Sequence, residues 1–159
     1  MILAKYKQKR NLKKSKEPEA KTKYFKHKKL IFVVHEHHAS HLHYDLRLEY
    51  GGVLKSWAVP KSPPLDEKTK RLAIQVEDHP LEYANFHGII PEGNYGAGKV
   101  EIWDNGYYIP EKFSDKEIII DIHGKKLHGK YVLIKTNFGK PKNNWLWFKG
   151  KEKWIIFLK

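Results

Sequence analysis

The chain has 159 residues, no cysteine and a formal charge of +13, which suits one domain with a real core and a short extension. The absence of thiols excludes disulfides, cysteine-based zinc modules and thiol catalysis. No apolar run approaches the roughly 20 residues of a membrane span, and the opening MILAKYKQKR has no apolar signal core, so no membrane association and a cytoplasmic location are expected.

The charge is unevenly spread. Residues 1–30 hold twelve Lys/Arg against Glu17 and Glu19, whereas the remainder nets only +3. The chain therefore divides into a basic arm, residues 1–28, and a near-balanced domain, residues 29–159. Such an arm usually tracks a polyanion, with nucleic acid first in line. A solubilising tail, or the lysine enrichment of heat-adapted chains, has the same composition. Pro18 breaks any helix in the arm, which is expected to be irregular and partly disordered. Tyr6 and Tyr24-Phe25 are its candidate anchors.

From Leu30 the pattern becomes that of short strands. Leu30–Val34 is apolar and β-branched. Five of the ten histidines follow between His35 and His43, expected in a loop. Residues 42–50 alternate strictly: Leu42, Tyr44, Leu46, Leu48 and Tyr50 on one parity, His43, Asp45, Arg47 and Glu49 on the other. That period is a strand with one core face and one working face. Gly51-Gly52 predicts a tight hairpin, Val53–Val59 the return strand, and Lys61 to Lys70 a loop.

Arg71–His79 alternates again, with Leu72, Ile74 and Val76 opposite Arg71, Ala73, Gln75, Glu77 and His79. Residues 81–88 read as a helical turn or loop. Pro91–Gly98 is too rich in glycine for a regular element, and its glycines permit close backbone approach. Lys99–Trp103 is a strand expected to end in a turn at Asp104-Asn105-Gly106. Glu117–Ile122, Lys130–Thr136 and Trp145–Lys149 follow, with Trp154–Leu158 as a candidate closing strand. Many short strands, no long helix and Gly/Asn/Pro punctuation predict an all-β fold, a small antiparallel barrel or sandwich.

The working faces carry the chemistry. His43 and Asp45, two apart on a strand, point the same way and can share one divalent ion, for which Mn, Zn and Fe all suit the donors. A third ligand must come from before the strand, and His37 is the best placed; His35, His38 and His41 are then exposed or lie behind the ligands. Arg47 beside such an ion matches a phosphate bidentately, although a surface ion pair with Glu49 or Glu36 is the plainer alternative. Glu77 and His79 form the second row, or a hydrogen-bonded pair inside the barrel. Tyr83 and the five tryptophans are core candidates.

The run HHASHLHYDLRLEYGGVLKSWAVPKSPPL, continued by RLAIQVEDHPLEYANFHGIIPEGNYGAGKVEIWDNG, resembles the 3′-phosphoesterase domain of bacterial DNA ligase D and its free-standing archaeal and bacterial relatives. The resemblance covers roughly residues 5–150. It implies a closed β-barrel of about eight strands. It also implies Mn²⁺-dependent healing of DNA 3′ ends, in which a terminal ribonucleoside is removed and the remaining 3′-phosphate hydrolysed to a 3′-hydroxyl. By position it places metal ligands on His37, His43 and Asp45, and phosphate contacts on Arg47, His79 and Tyr83. Glu77, Lys61 and Arg71 match further residues needed for one or both steps. His38 and His41 depart from the family pattern. The expected partners are DNA or RNA-tailed primer-template 3′ ends. A chain of this length has no room for a ligase, so a separately encoded DNA ligase is expected beside a monomeric enzyme. A DNA-docking barrel without catalysis, or a zinc-dependent phosphatase for small molecules, are the competing functions.

Overall fold

The computed structural model describes Leu3, Lys5, Tyr6, residues 29–137, Gly139 and residues 142–151. Most of the basic arm, including Tyr24-Phe25, and the candidate strand Trp154–Leu158 lie outside the described residues. Among the described residues nine strands run in chain order: β1 Leu30–His38, β2 Leu42–Tyr50, β3 Val53–Val59, β4 Lys70–His79, β5 Gly88–Ile90, β6 Gly98–Phe113, β7 Glu117–His123, β8 His128–Lys135 and β9 Asn144–Lys149. Their order is β1-β2-β3-β4-β9-β8-β7-β6, and β6 returns to pair with β1. The sheet thus closes into the expected eight-stranded antiparallel barrel, with β5 added alongside the start of β6. Among the described residues no helix is long and apolar enough to cross a membrane.

Alternation fills the barrel. Between bulges each strand turns one parity inward, and the core takes Phe32 and Val34 from β1, Leu46 and Leu48 from β2, Ile118, Ile120 and Ile122 from β7, with Trp57, Trp145 and Trp147 among them. A barrel of this strand number has just enough interior for side chains. Trp103 packs against this core from the side. The hairpin between β2 and β3 turns at Gly51 and Gly52, with φ of 63° and 84°; a two-residue turn of this hand needs positive φ at both positions.

A second apolar cluster lies outside the barrel wall. It joins Val33, Leu54 and Val100 to the short 3-10 helix Leu81–Asn85 and to Ile90. Leu3 and Tyr6 of the arm are buried in it, so Tyr6 does anchor the arm to the domain.

Two local expectations change. The histidine-rich stretch continues β1 to His38 because both its edges are paired: His37 sits opposite His43 on β2 and opposite Val100 on β6. The expected turn at Asp104-Asn105-Gly106 lies within β6. The buried Asp104 carboxylate accepts N–H groups from Asn105, Lys125, Lys126 and Leu127 at 2.8–3.0 Å, so its turn chemistry organises the next connection, between β7 and β8. Gly106 is there because a Cβ would come within 2.2 Å of the His123 carbonyl oxygen. Hydrogen bonds to a charged group contribute about 1.5–3 kcal/mol each, so Asp104→Ala is expected to cost on the order of 3–5 kcal/mol. The measurement is thermal unfolding; an unchanged melting temperature would show that the connection holds itself.

Candidate active site

β1 and β2 present one outer face together. Residues directly opposite in an antiparallel pair point the same way, and His35 faces Asp45 while His37 faces His43. The outward row of β2 therefore meets an outward row of β1. The 3-10 helix, β4 and the 91–97 loop wall the cleft above them, about 220 Å³ in volume. His37, His43, Asp45, Arg47, Glu77, His79 and Tyr83 all line it.

One end of the cleft is rich in lone pairs. His37 Nε2–H donates to the Gly96 carbonyl at 2.6 Å, and His43 Nδ1–H donates to the His41 carbonyl at 3.3 Å. Carbonyls only accept, so these bonds fix both tautomers. The opposite ring nitrogens then turn lone pairs toward Asp45: His37 Nδ1 lies 3.5 Å from Oδ2 and His43 Nε2 3.3 Å from Oδ1. Three converging acceptors need a cation between them, either protons or a metal ion. The donor atoms lie within 4.8 Å of one another, and two imidazoles with a carboxylate suit a divalent transition metal. A metal fits here, and His37, His43 and Asp45 are the residues that could hold it.

Protons and metal compete for that place. Hydrogen bonding to Asp45, against the opposing effect of burial, raises the His43 pKa above 6.5. Burial pushes the Asp45 pKa up, but Arg47 and the two histidines outweigh it and hold the carboxyl well below its usual range. Metal requires neutral His43. Affinity for Mn²⁺ is therefore expected to rise about tenfold per pH unit through 6.5, levelling only above the raised pKa. In the ion-free protein the sign reverses: the pairing of protonated His43 with Asp45 stabilises fully below 6.5 and is lost as pH rises through the folded pKa. Calorimetric titration and melting curves across pH check both slopes; parallel slopes would remove His43 from the ligand set.

The other end is cationic. Arg47 is buried, with Nη2 3.5 Å from Asp45 Oδ2 and Nε–H donating to His35 Nδ1 at 3.2 Å. Its guanidinium lies over the Tyr83 ring, 4.8 Å from the centroid. Nη1 is buried with no hydrogen-bond partner among the described residues. The alternative partners read from sequence are otherwise engaged: Glu49 accepts the Ile31 N–H and Glu36 pairs with His38. A buried unpaired donor is costly unless a ligand meets it, and beside a metal site the matching ligand is an oxyanion.

His79 forms the roof. Its Nδ1–H donates to the Glu77 main-chain oxygen at 3.0 Å, and its ring packs edge-on against Tyr83 at 4.8 Å and Tyr6 at 5.1 Å. A β-bulge places it there. Ser56 pairs with Val76, but Leu54 pairs with His79, one residue out of step. Before the bulge the odd positions of β4 face inward, Ala73 opposite Trp145 and Arg71 opposite Trp147; after it His79 faces the cleft. Strict alternation, which put Arg71 and His79 on one face, misses this step.

Arg71 consequently lies away from the cleft, donating to the Ser62 carbonyl at 2.6 Å. Lys61, the neighbour of Ser62, is exposed and does not line the cleft either. His38 and His41 are exposed. His35 is not: it is fully buried, with its pKa lowered to about 3 by burial and by Arg47. Gly96 is a site residue that the sequence reading passed over, and His35, read as exposed or behind the ligands, lies buried behind Arg47. For His35 a signal existed, since it shares parity with His37 once β1 is extended.

The model of the DNA Ligase D 3′-phosphoesterase domain family matches residues 35–135. Over 139 residues the chain is 50% identical to the multifunctional non-homologous end joining protein LigD of Mycobacterium bovis, covering 85% of this chain and 18% of that protein. The corresponding protein of Pseudomonas aeruginosa is 45% identical over 156 residues, 94% of this chain and 19% of its own length. That of Mycolicibacterium smegmatis is 51% identical over 133 residues, 77% of this chain and 17% of the relative. The chain thus spans less than a fifth of the length of these relatives. Together with the closed barrel and its His/Asp/Arg cleft, these matches place the chain in the DNA ligase D 3′-phosphoesterase domain family.

Proposed function

We propose that the protein is a Mn²⁺-dependent phosphoesterase that heals DNA 3′ ends. The observation that carries this reading is the pairing, in one cleft, of a His/His/Asp cation site with a buried arginine whose Nη1 lacks a partner. His37, His43 and Asp45 would hold a divalent ion, which when bound would supply positive charge to offset that of the phosphate. Arg47 donates from Nη1 to a second oxygen, and Tyr83 supports the guanidinium from below and reaches the same phosphate.

His79 acts as general acid. The Glu77 carbonyl fixes the ring through Nδ1–H, and the imidazole gives the proton that the leaving oxygen receives. Water adds its oxygen to phosphorus while the bond to the leaving oxygen breaks. In the first step that oxygen belongs to the terminal ribonucleoside, and the primer keeps a 3′-phosphate. In the second it is the primer's 3′-oxygen, and inorganic phosphate departs. The Glu77 carboxylate positions water or His79 and matters most for the ribonucleoside step. Lys61 and Arg71, outside the cleft, meet the nucleic-acid backbone. The resulting 3′-hydroxyl is the end that a DNA ligase joins, and the phosphoesterase works as a monomer.

The test is phosphate release from a 3′-phosphorylated primer-template with Mn²⁺. Turnover on primer-templates and not on free nucleotides supports the reading. A preference for free nucleotides would turn it into a small-molecule phosphatase, and DNA binding without turnover into a docking barrel.

The arm adds backbone contacts. Because Tyr6 is part of the wall behind His79, charge neutralisation tests this better than deletion. Changing Lys7, Lys9, Lys13, Lys14 and Lys16 to Gln should flatten log K against log salt by about 0.9 per lost duplex contact. kcat should change much less. An unchanged slope would detach the arm from the DNA backbone.

A further inference from the structure

We propose that His35 is a positioning residue that aims Arg47, and that it does so by offering an uncharged acceptor. The inference rests on the phosphoesterase reading only for the identity of the anion that Arg47 meets. His35 Nε2–H donates to the Phe86 carbonyl at 3.0 Å, which leaves Nδ1 without a proton and able to accept. Arg47 Nε–H fills that place. Asp45 Oδ2 lies beside Nη2. A guanidinium is a rigid planar fork, so two fixed nitrogens fix the plane and leave Nη1 as the unpartnered donor. The Tyr83 ring packs edge-on against His35 at 5.5 Å and lies under Arg47, so the ring and the fork share one scaffold.

The absence of charge matters. Asp45 already offsets part of the arginine's positive charge while serving the cation site. A second carboxylate at position 35 would orient Arg47 equally well but would repel an incoming phosphate. A neutral imidazole nitrogen supplies direction and leaves the charge available to the ligand. The Phe86 carbonyl follows the 3-10 helix that carries Tyr83, so His35 also ties that wall of the cleft to β1.

The experiment compares His35→Asn, which presents an amide oxygen close to the place of Nδ1, His35→Asp, which adds charge, and His35→Phe, which keeps a ring without an acceptor. Three quantities are read: solvent exchange of the Arg47 Nε–H by NMR, affinity for inorganic phosphate, and kcat and KM on a 3′-phosphorylated oligonucleotide. His35→Phe should expose the Nε–H to exchange and lower kcat/KM by about 10–100-fold, the scale of a misplaced catalytic group. His35→Asn should restore most of both. His35→Asp should keep the Nε–H protected yet bind phosphate more weakly than His35→Asn. A folded His35→Phe with wild-type exchange and phosphate affinity overturns the proposal. Should that variant not fold, equal phosphate affinity in the Asn and Asp variants overturns it, and weaker binding by the Asp variant supports it. If the wild type turns over no oligonucleotide while phosphate affinity still follows position 35 in this order, the functional reading fails and this inference stands.

Discussion

Asp45→Asn is expected to lower metal-dependent phosphate release by about 10³-fold or more, since an active-site metal contributes several kcal/mol of transition-state stabilisation and each 1.4 kcal/mol is a factor of ten. The substitution is nearly isosteric, so it isolates charge. Asp45 lies beside both candidate ligand histidines and the arginine: His37 Nδ1, His43 Nε2 and Arg47 Nη2 lie at 3.5, 3.3 and 3.5 Å. Without its charge the two imidazole lone pairs have no carboxylate to share a cation with, and metal affinity falls along with turnover. Stability should fall as well, because breaking a buried ion pair costs about 3–5 kcal/mol when a charge is left behind, and here the buried Arg47 is left. The two effects separate experimentally. Mn²⁺ binding by calorimetry reports the first and chemical denaturation of the ion-free protein the second. His43→Ala should lose turnover to a similar extent. If Asp45→Asn keeps near wild-type kcat at saturating Mn²⁺, the ion is held elsewhere.

Arg47→Lys should lose about 10²–10³-fold in kcat, the usual loss when one charge-stabilising donor is removed from an active site. Charge is conserved in this variant, so its failure would measure geometry. Lysine presents a single ammonium on a flexible stem. It cannot span Asp45, His35 and a phosphate oxygen at once, and it loses the planar stacking on Tyr83. Most of the loss should appear in kcat, with a smaller change in KM, because a mobile ammonium still attracts the ground-state anion. A kcat within about tenfold of wild type, a small fraction of that expected loss, would reduce Arg47 to a general source of positive potential.

The difference between strand parity that worked and parity that failed is instructive. In β2 no bulge interrupts the pairing with β3, so the row His43, Asp45, Arg47 read from alternation is the row that faces the cleft. In β4 one additional residue opposite Lys55 changes the face. Leu72 consequently lies exposed while Ala73 is in the core, the reverse of what the apolar row Leu72, Ile74, Val76 suggested. His79 nevertheless arrives at the cleft because the bulge lies between it and Gln75. A bulge has no periodic signature of its own; it is read only from the partner strand.

Tyr6 shows the same limit from a different direction. The sequence offers Tyr6 as an anchor for the arm, but its distance in sequence from His79 gives no hint that the two rings stand 5.1 Å apart. Burial decides the matter: an aromatic side chain offered an apolar wall beside the 3-10 helix takes it, whatever the charge of its neighbours.

Local alternation and turn chemistry, where no bulge or distant partner intervenes, are legible along the chain. That covers the all-β class, the Gly51-Gly52 hairpin, the strand limits of β2 and β3, those of β7 and β9 to within one residue, and the outward row of β2 with its His, Asp and Arg. Closure of β1 on β6, the face of His79, the burial of His35, the place where Tyr6 docks and the tautomers of the site histidines came only with the folded barrel. The reason is separation along the chain. The hydrogen bonds that make these choices join His35 to Phe86 and His37 to Gly96, 51 and 59 residues apart. Contacts at that range leave no period in the sequence, and they exist only once the barrel has closed and brought the 3-10 helix and the glycine loop over β1.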